Sequence, residues 1–181
     1  MKTNDEINLV RAASKGNVDS FSRLCECYYP TITAIAYAHL SDRDMAEDAA
    51  QETFFVAFRD ISKLKSFERF GNWLVVICRN ISSDMARTRK RESIVRLEDC
   101  EIHSNEKVNQ DNYDEVVRAV ITKLPDKLRE AIFLKFYNKL SYQEISNVLG
   151  ISQEAVNGRL RRAKKLIVKK LCRADSVEVD L

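Results

Sequence analysis

Glycine and proline are scarce in this chain, with four Gly and two Pro in 181 residues. So few turn-forming residues leave little room for a strand-and-turn series, and the expected class is all-α. The five cysteines (Cys25, Cys27, Cys78, Cys100, Cys172) are odd in number and form no C-x-x-C pair, and the two histidines, His39 and His103, stand apart. A zinc site is therefore not expected. Cys25 and Cys78 suit small, buried, apolar positions in a reducing compartment. The longest apolar run, Trp73 to Cys78, is far too short to span a bilayer. The N-terminus, MKTNDEINL, is polar and lacks a signal-peptide core. These absences lead to the expectation of a cytoplasmic protein with no membrane insertion. No nucleophile–base pair, phosphate loop or metal cluster can be assembled either, so neither an enzyme nor a cofactor is expected.

What is present is helical periodicity and charge segregated along the chain. The stretch from Leu140 to Leu166 reads as helix, tight turn, helix. Ser141 stands three residues before Glu144, the spacing of a capping box. Ile145, Val148 and Leu149 give the first helix an apolar face. Gly150 supplies the left-handed residue of a sharp turn. Ser152 can cap the second helix, whose inner face is Ala155, Val156 and Leu160. Its other faces carry Arg159, Arg161, Arg162, Lys164 and Lys165. From Lys139 to Arg173 nine Lys or Arg face only Glu144 and Glu154, a net of +7 in a chain of +3. A basic helix can be simply a solvated face. Segregation this strong favours a phosphate-binding surface and a helix-turn-helix that enters the DNA major groove.

Residues 1–92 read as a first helical unit. Ile7, Val10 and Ala13 repeat at helical spacing; Phe21, Leu24 and Tyr28 mark a second helix, which Asp19 can cap and Pro30 closes or kinks. Ile32, Ile35 and His39 continue in a third. Ser41 opens a long helix over 42–60, and another begins near Phe70, with Trp73, Ile77, Ile81 and Met85 as its expected buried stripe. Residues 93–112 lack this periodicity. From Ser93 to Glu115 seven acids face Arg96 and Lys107, a net of −5, which reads as a flexible acidic linker. Helical pattern resumes at Tyr113 and runs to Arg173, with Pro125 suited to a helix start. A short acidic tail, 174–181, follows, and no appended domain is expected.

Two further faces stand out. The helix from Asn72 to Arg91 carries Arg79, Arg87, Arg89, Lys90 and Arg91 against Asp84, a net of +4. Asn80, Ser83 and Arg87 share one of its sides. Phe67, Phe70 and Trp73 lie at its start, and aromatics beside cations suit single-stranded nucleic acid. Core packing explains Phe70 and Trp73 equally, and composition favours it. The helix over 42–60 has the opposite sign. Asp48, Gln51, Glu52 and Phe55 form a strip at threes and fours that resembles a protein-docking surface more than a catalytic site.

Three segments, in order, resemble the bacterial sigma-70 family, specifically its small extracytoplasmic-function (ECF) members. AEDAAQETFFVAF is similar to the helix that docks on polymerase. FGNWLVVICRNISSDMARTRKR is similar to the helix that recognises the −10 element. LPDKLREAIFLKFYNKLSYQEISNVLGISQEAVNGRLRRAKKLI is similar to the domain that binds the −35 element. The resemblance implies sigma domain 2 over 1–92, the linker over 93–112 and sigma domain 4 over 113–173. It implies binding of core RNA polymerase by Asp48, Gln51, Glu52 and Phe55. It implies contact with unpaired −10 DNA by Ser66, Phe67, Phe70, Asn80, Ser83, Arg87 and Lys90. It implies contact with duplex −35 DNA by Ser152, Asn157, Gly158, Arg161, Arg162 and Lys165. Promoter DNA, core RNA polymerase and an anti-sigma factor are the implied partners. Many relatives carry a Lys or Arg and then a Ser where this chain has Asn157 and Gly158. A stand-alone helix-turn-helix regulator and a sigma-like decoy that binds only an anti-sigma factor are the competing readings.

Overall fold

Four of the helices start where a small polar side chain, Asn17, Asp42, Ser141 or Ser152, accepts from a backbone N–H that has no partner within the helix. A computed structural model describes residues 4–99 and 113–175, and among these it contains eight α-helices and no strand. The first unit comprises α1 (Asn4–Ala13), α2 (Val18–Leu40), α3 (Arg43–Asp60) and α4 (Phe70–Asp99). Asn17, not Asp19, caps α2, accepting from the Ser20 amide at 2.7 Å. Asp42 caps α3 through the Met45 amide at 3.1 Å, while Ser41 closes α2 in the left-handed region at φ 53°. Pro30 neither ends nor splits its helix, because the expected second and third helices are the single α2. Pro forfeits a hydrogen bond there, but Phe21 and Leu24 before it and Thr31, Ile32 and Ile35 after it are buried. Burial on both sides holds the two halves on one axis.

Packing sets the faces of the next two helices. Ala46, Ala49, Ala50 and Ala57 line the inner side of α3, and such small residues let it lie close against α2 and α4. On α4 the fully buried positions are Phe70, Leu74, Val75, Cys78 and Ser82. Trp73, Ile77, Ile81 and Met85 are only half-buried on the flank of the same core, one position off the expected stripe. The difference arises because α4 contacts both α2 and α3, so its inner face is wider than a single stripe. The helix also runs to Asp99, beyond Ser93 where the linker was expected to begin. Loss of amphipathic pattern does not stop a helix already nucleated, and neither Gly nor Pro occurs between Gly71 and Pro125. The rest of the expected linker, 100–112, and the tail from 176 lie outside the described residues.

The second unit comprises α5 (Tyr113–Thr122), α6 (Asp126–Ile132), a π-turn over 133–137, α7 (Tyr142–Leu149) and α8 (Gln153–Asp175). Its capping box is complete: the Glu144 amide donates to the Ser141 hydroxyl at 3.2 Å and the Ser141 amide to the Glu144 carboxylate at 2.8 Å. Gly150 ends α7 at φ 65°, as the turn requires. The two units share one apolar core, which passes from α2 and α4 into α6 and α7 without a break.

A cluster of charges sits in that seam. Glu130 of α6 is 1% exposed and accepts two 2.7 Å bonds from Arg79 of α4 and one of 2.9 Å with His39 of α2. His39 also lies 3.6 Å from Asp126. Beside it, buried Arg129 donates to the carbonyl of Ala38 in the last turn of α2, to the carbonyls of Thr122 and Leu124, and to Asp126 at 2.6 Å. Burial alone would push the Glu130 carboxyl up, but the His39 and Arg79 bonds and charges overcome it and hold it down at about 2.

The sign of that shift fixes a pH dependence. The charged contribution of Glu130 is complete above its ordinary value of 4.5 and is lost as pH falls toward about 2. A difference of that size corresponds to roughly 3 kcal/mol at neutral pH. Urea denaturation of the chain and of Glu130→Gln should therefore show a stability gap near pH 7 that closes progressively below about pH 4.5. Gly158 gives a second expectation. It is helical, and a Cβ there would approach nothing nearer than a flexible Arg162 nitrogen at 3.9 Å. Gly158→Ala should raise stability by about 0.5–1 kcal/mol, read as a higher midpoint in the same titration.

Candidate nucleic-acid interface

Three surfaces carry the residues singled out in the sequence, and the fold leaves most of them open. On α3 the buried positions Ala46, Ala49, Ala50, Thr53, Phe54 and Ala57 face inward. Asp48, Gln51, Glu52 and Phe55 therefore point to solvent on the other side, with Phe55 63% exposed. A large ring left this exposed between two carboxylates and an amide has the makeup of a protein-docking surface.

The second surface is α4 with the short turn before it. Asn80, Arg87 and Lys90 are exposed and Ser83 is half-buried. Arg87 is held along the helix by the Ser83 carbonyl at 3.3 Å and by Asp84 at 2.8 Å. Both members of that ion pair are largely exposed, so it is worth little and can be exchanged for phosphate. In the turn, the Ser66 hydroxyl donates to Glu68 at 2.9 Å, and the Arg11 guanidinium stands 5.9 Å from the half-buried Phe67 ring. Phe70 is different. It is fully buried, edge-on to Tyr28 at 5.5 Å and 6.0 Å from Trp73, so it serves the core and cannot reach a base from this position. From the start of α4 to Arg87 the surface extends about 26 Å at helical rise, long enough to follow several nucleotides.

The third surface is the outer side of α8. Asn157, Arg161, Arg162 and Lys165 are exposed and share one side with the half-buried Gly158. Arg162 is steadied by the Gly158 carbonyl at 3.1 Å. Ser152 acts as the cap of α8, its hydroxyl accepting from the Ala155 amide at 3.2 Å. Gln153 donates to Gln143 at 2.5 Å and Gln143 to Asn147 at 3.0 Å, a chain that ties the entry of α8 to α7. A cationic helix presented this way by a tight turn has the geometry that enters a major groove.

The sequence had not pointed to four residues that sit between these surfaces. His39, expected to stand alone, bonds Glu130; Arg79, expected as one of the free cations of α4, is tied to the same carboxylate. Glu130 itself lies in a segment, 128–132, in which every residue is buried. Arg159 of α8 is turned inward, and one of its guanidinium nitrogens is buried without a hydrogen-bond partner. Burial lowers its pKa, and the charges of Arg79 and Arg162 add to that while Glu130 opposes it. The only available sequence signal was two charged residues, Arg129 and Glu130, inside an apolar run. Among the described residues no group of His, Cys, Asp and Glu could hold a metal, and no helix is long and apolar enough to cross a membrane. Burial pushes the Cys25 and Cys78 thiols up to about 11, away from the reactive range.

Comparison with known proteins matches, in order, the segments that carry these surfaces. The model of sigma-70 region 2 matches residues 24–92, which contain α3 and most of the cationic part of α4. The model of sigma-70 region 4 matches residues 114–167, which contain the helix-turn-helix. The RNA polymerase sigma-H factor of Pseudomonas aeruginosa is 30% identical, over 90% of this chain and 92% of its own length. The ECF RNA polymerase sigma factor SigW of Bacillus subtilis is 28% identical, over 90% and 94%. Among solved structures, CnrH, in complex with the cytosolic domain of CnrY, aligns with a TM-score of 0.64 at 24% identity, over 94% of this chain and 99% of that one. The sigma factor RpoE, in complex with the anti-sigma factor NepR from Bartonella quintana, gives 0.56 at 24% identity, over 91% and 100%. At that identity the likeness is one of fold. The chain belongs to the sigma-70 family of RNA polymerase sigma factors, in its extracytoplasmic-function group.

Proposed function

We propose that this chain is a promoter-specificity subunit. It docks on core RNA polymerase, recognises the −35 and −10 elements and helps to melt DNA for transcription initiation. The observation that carries this reading is the order of exposed faces on one chain: an acidic strip with a bare phenylalanine, then two cationic helices of different geometry. The strip of Asp48, Gln51, Glu52 and Phe55 is the polymerase contact. Ser66, Phe67, Asn80, Ser83, Arg87 and Lys90 hold unpaired −10 bases and their phosphates, while Phe70 supports them from the core. Asn157, Arg161, Arg162 and Lys165 meet the −35 duplex, with Gly158 and the Ser152 cap setting the helix entry. Each unit alone binds DNA weakly. Joining both to one polymerase raises the effective concentration of the second contact.

Further parts of this reading rest on the family alone. The chain works in the cytoplasm, catalyses no reaction of its own and takes no cofactor. Residues 100–112, after the end of α4, connect the two units, and an anti-sigma factor is a further partner. Asn157, able to pair with adenine or with phosphate, and Gly158, which offers no contact, give a −35 preference distinct from that of relatives with Lys or Arg followed by Ser.

The decisive test is transcription reconstituted from the purified chain and bacterial core polymerase on a library of genomic promoter fragments. New start sites with shared upstream elements are expected. Absence of transcription despite polymerase binding would favour the decoy, and absence of both would favour a stand-alone regulator. Asp48→Ala with Gln51→Ala should weaken polymerase binding by roughly tenfold or more in a competition assay. Unchanged affinity would show that the strip lies elsewhere. Arg161→Ala with Arg162→Ala should abolish −35-dependent transcription, since each base contact is worth about 1–3 kcal/mol, and leave polymerase affinity intact.

A further inference from the structure

The helix α1 lies outside the residues that match the sigma-70 region 2 model, 24–92. It nevertheless packs against the turn at 67–69 that precedes α4. Val10 is fully buried and Ala13 nearly so, which fixes the side that α1 turns to the core. Two further contacts set its position. The Tyr28 hydroxyl donates to buried Glu6 at 2.5 Å. The same hydroxyl seats the start of α4, since a Cβ at Gly71 would stand 2.8 Å from its oxygen. Through Tyr28, α1 and the first turn of α4 are held in one fixed relation, and the 67–69 turn packs on both.

Arg11, next to Val10 on α1, is exposed. Its helical neighbours at three and four residues are Ile7, Asn8, Ser14 and Lys15, and none of them is a carboxylate. Its guanidinium has an aromatic partner instead, Phe67, with the ring centroid 5.9 Å away. At that range a ring attracts a cation. Phe67 in turn is half-buried and rests on the apolar core. The ring is thus backed by the protein, and the guanidinium stands over it toward solvent. Lys65 and Arg69, two residues to either side of Phe67, are exposed as well, so the surroundings attract phosphate. A guanidinium is planar, stacks on aromatic faces and stays charged at every physiological pH. Unpaired nucleic acid offers the matching groups, a π-face on every base and a phosphate beside it.

We propose that Arg11 is a DNA-contacting residue of the single-strand site: an unpaired base stacks on the outer face of its guanidinium, Phe67 backs the inner face, and its charge holds the neighbouring phosphate. The helix α1 is then part of the DNA-binding surface, and Phe67 supports the base through Arg11. The anchoring of α1 through Glu6, Tyr28 and Gly71 keeps the stack in place before DNA arrives. This role for Arg11 rests on the −10 reading of the turn at 66–70 given above.

The test measures binding of the full chain to two fluorescein-labelled probes by fluorescence anisotropy. One is a twenty-nucleotide thymidine oligomer; the other is an abasic oligomer of the same length that keeps every phosphate. Arg11→Lys keeps the charge and loses the planar face. It should bind the thymidine oligomer about tenfold more weakly than the unaltered chain does, and the abasic oligomer equally well. Phe67→Leu, which keeps apolar bulk in the turn, should show the same selective loss, and adding Arg11→Lys to it should weaken binding little further. Lys15→Ala removes an exposed cation from the same helix and should leave the preference for the thymidine oligomer unchanged. Arg11 is exposed, so Arg11→Lys should keep the fold, which helical circular dichroism checks. An Arg11→Lys chain that binds both probes as the unaltered chain does would overturn the proposal. An equal loss on both would overturn the stack and leave a phosphate contact only. The −10 reading fails separately, if Asn80→Ala with Lys90→Ala leaves the affinity for the thymidine oligomer unchanged. An unaltered chain that binds neither probe would overturn both.

Discussion

One buried carboxylate decides how the two halves of this sigma factor sit on each other. A charge removed from water must find partners of opposite sign and matching geometry. Among the described residues, the partners that bond Glu130 directly lie on the other unit, in Arg79 of α4 and His39 of α2. Its satisfaction therefore orients α6, and with it the turn and α8 that follow. The apolar contacts nearby, such as the edge-to-face pair of Tyr37 and Phe133 at 5.2 Å, add attraction but tolerate many angles. The bidentate bond from Arg79 does not, because a planar fork fits a carboxylate in few ways. Arg129 adds a second directional tie by covering a carbonyl in the last turn of α2, where a cation is favoured by the helix dipole.

The helix α4 is asked to do three things, and its sides divide them. Phe70, Leu74, Val75, Cys78 and Ser82 belong to the core. Asn80, Arg87 and Lys90 face solvent with a cationic surface. Asn72 and Arg79 belong to the seam. This division explains why the aromatic residues at its start separate in role: Phe67 stays half-exposed beside Arg11, and Phe70, three residues on, fills the core against Tyr28. The acidic strip of α3 projects from the side of the helix opposite its own alanine face.

Local signals carried much of this into the sequence. The helix-turn-helix was legible because its determinants act within a few residues: the Ser141–Glu144 capping box, the left-handed Gly150 and the Ser152 cap each require only their neighbours. The exposed strip of α3 and the cationic side of α8 were legible because helical periodicity assigns faces. Signals that depend on a distant partner were weaker. Pro30 reads as a break, yet burial on both sides keeps α2 whole. Trp73, Ile77, Ile81 and Met85 make a regular apolar series, yet two neighbouring helices turned α4 to bury Leu74, Cys78 and Ser82 instead. Loss of pattern after Arg91 reads as a linker, yet the helix runs on to Asp99.

The sequence by itself determined the all-helical class, the two cationic helices, the acidic strip and their order, because charge, capping and periodicity are properties of adjacent residues. Tertiary structure alone decided which charges are free and which are spent inside. Arg79 and Arg87 look alike in the sequence, eight residues apart on one cationic helix. One is pinned to Glu130 and the other lies open to solvent. His39 and Glu130 are 91 positions apart and meet only when α6 folds back onto α2. No local preference encodes that meeting. It follows from the cost of leaving a carboxylate unpaired in the interior, a cost that exists only once the two units have closed.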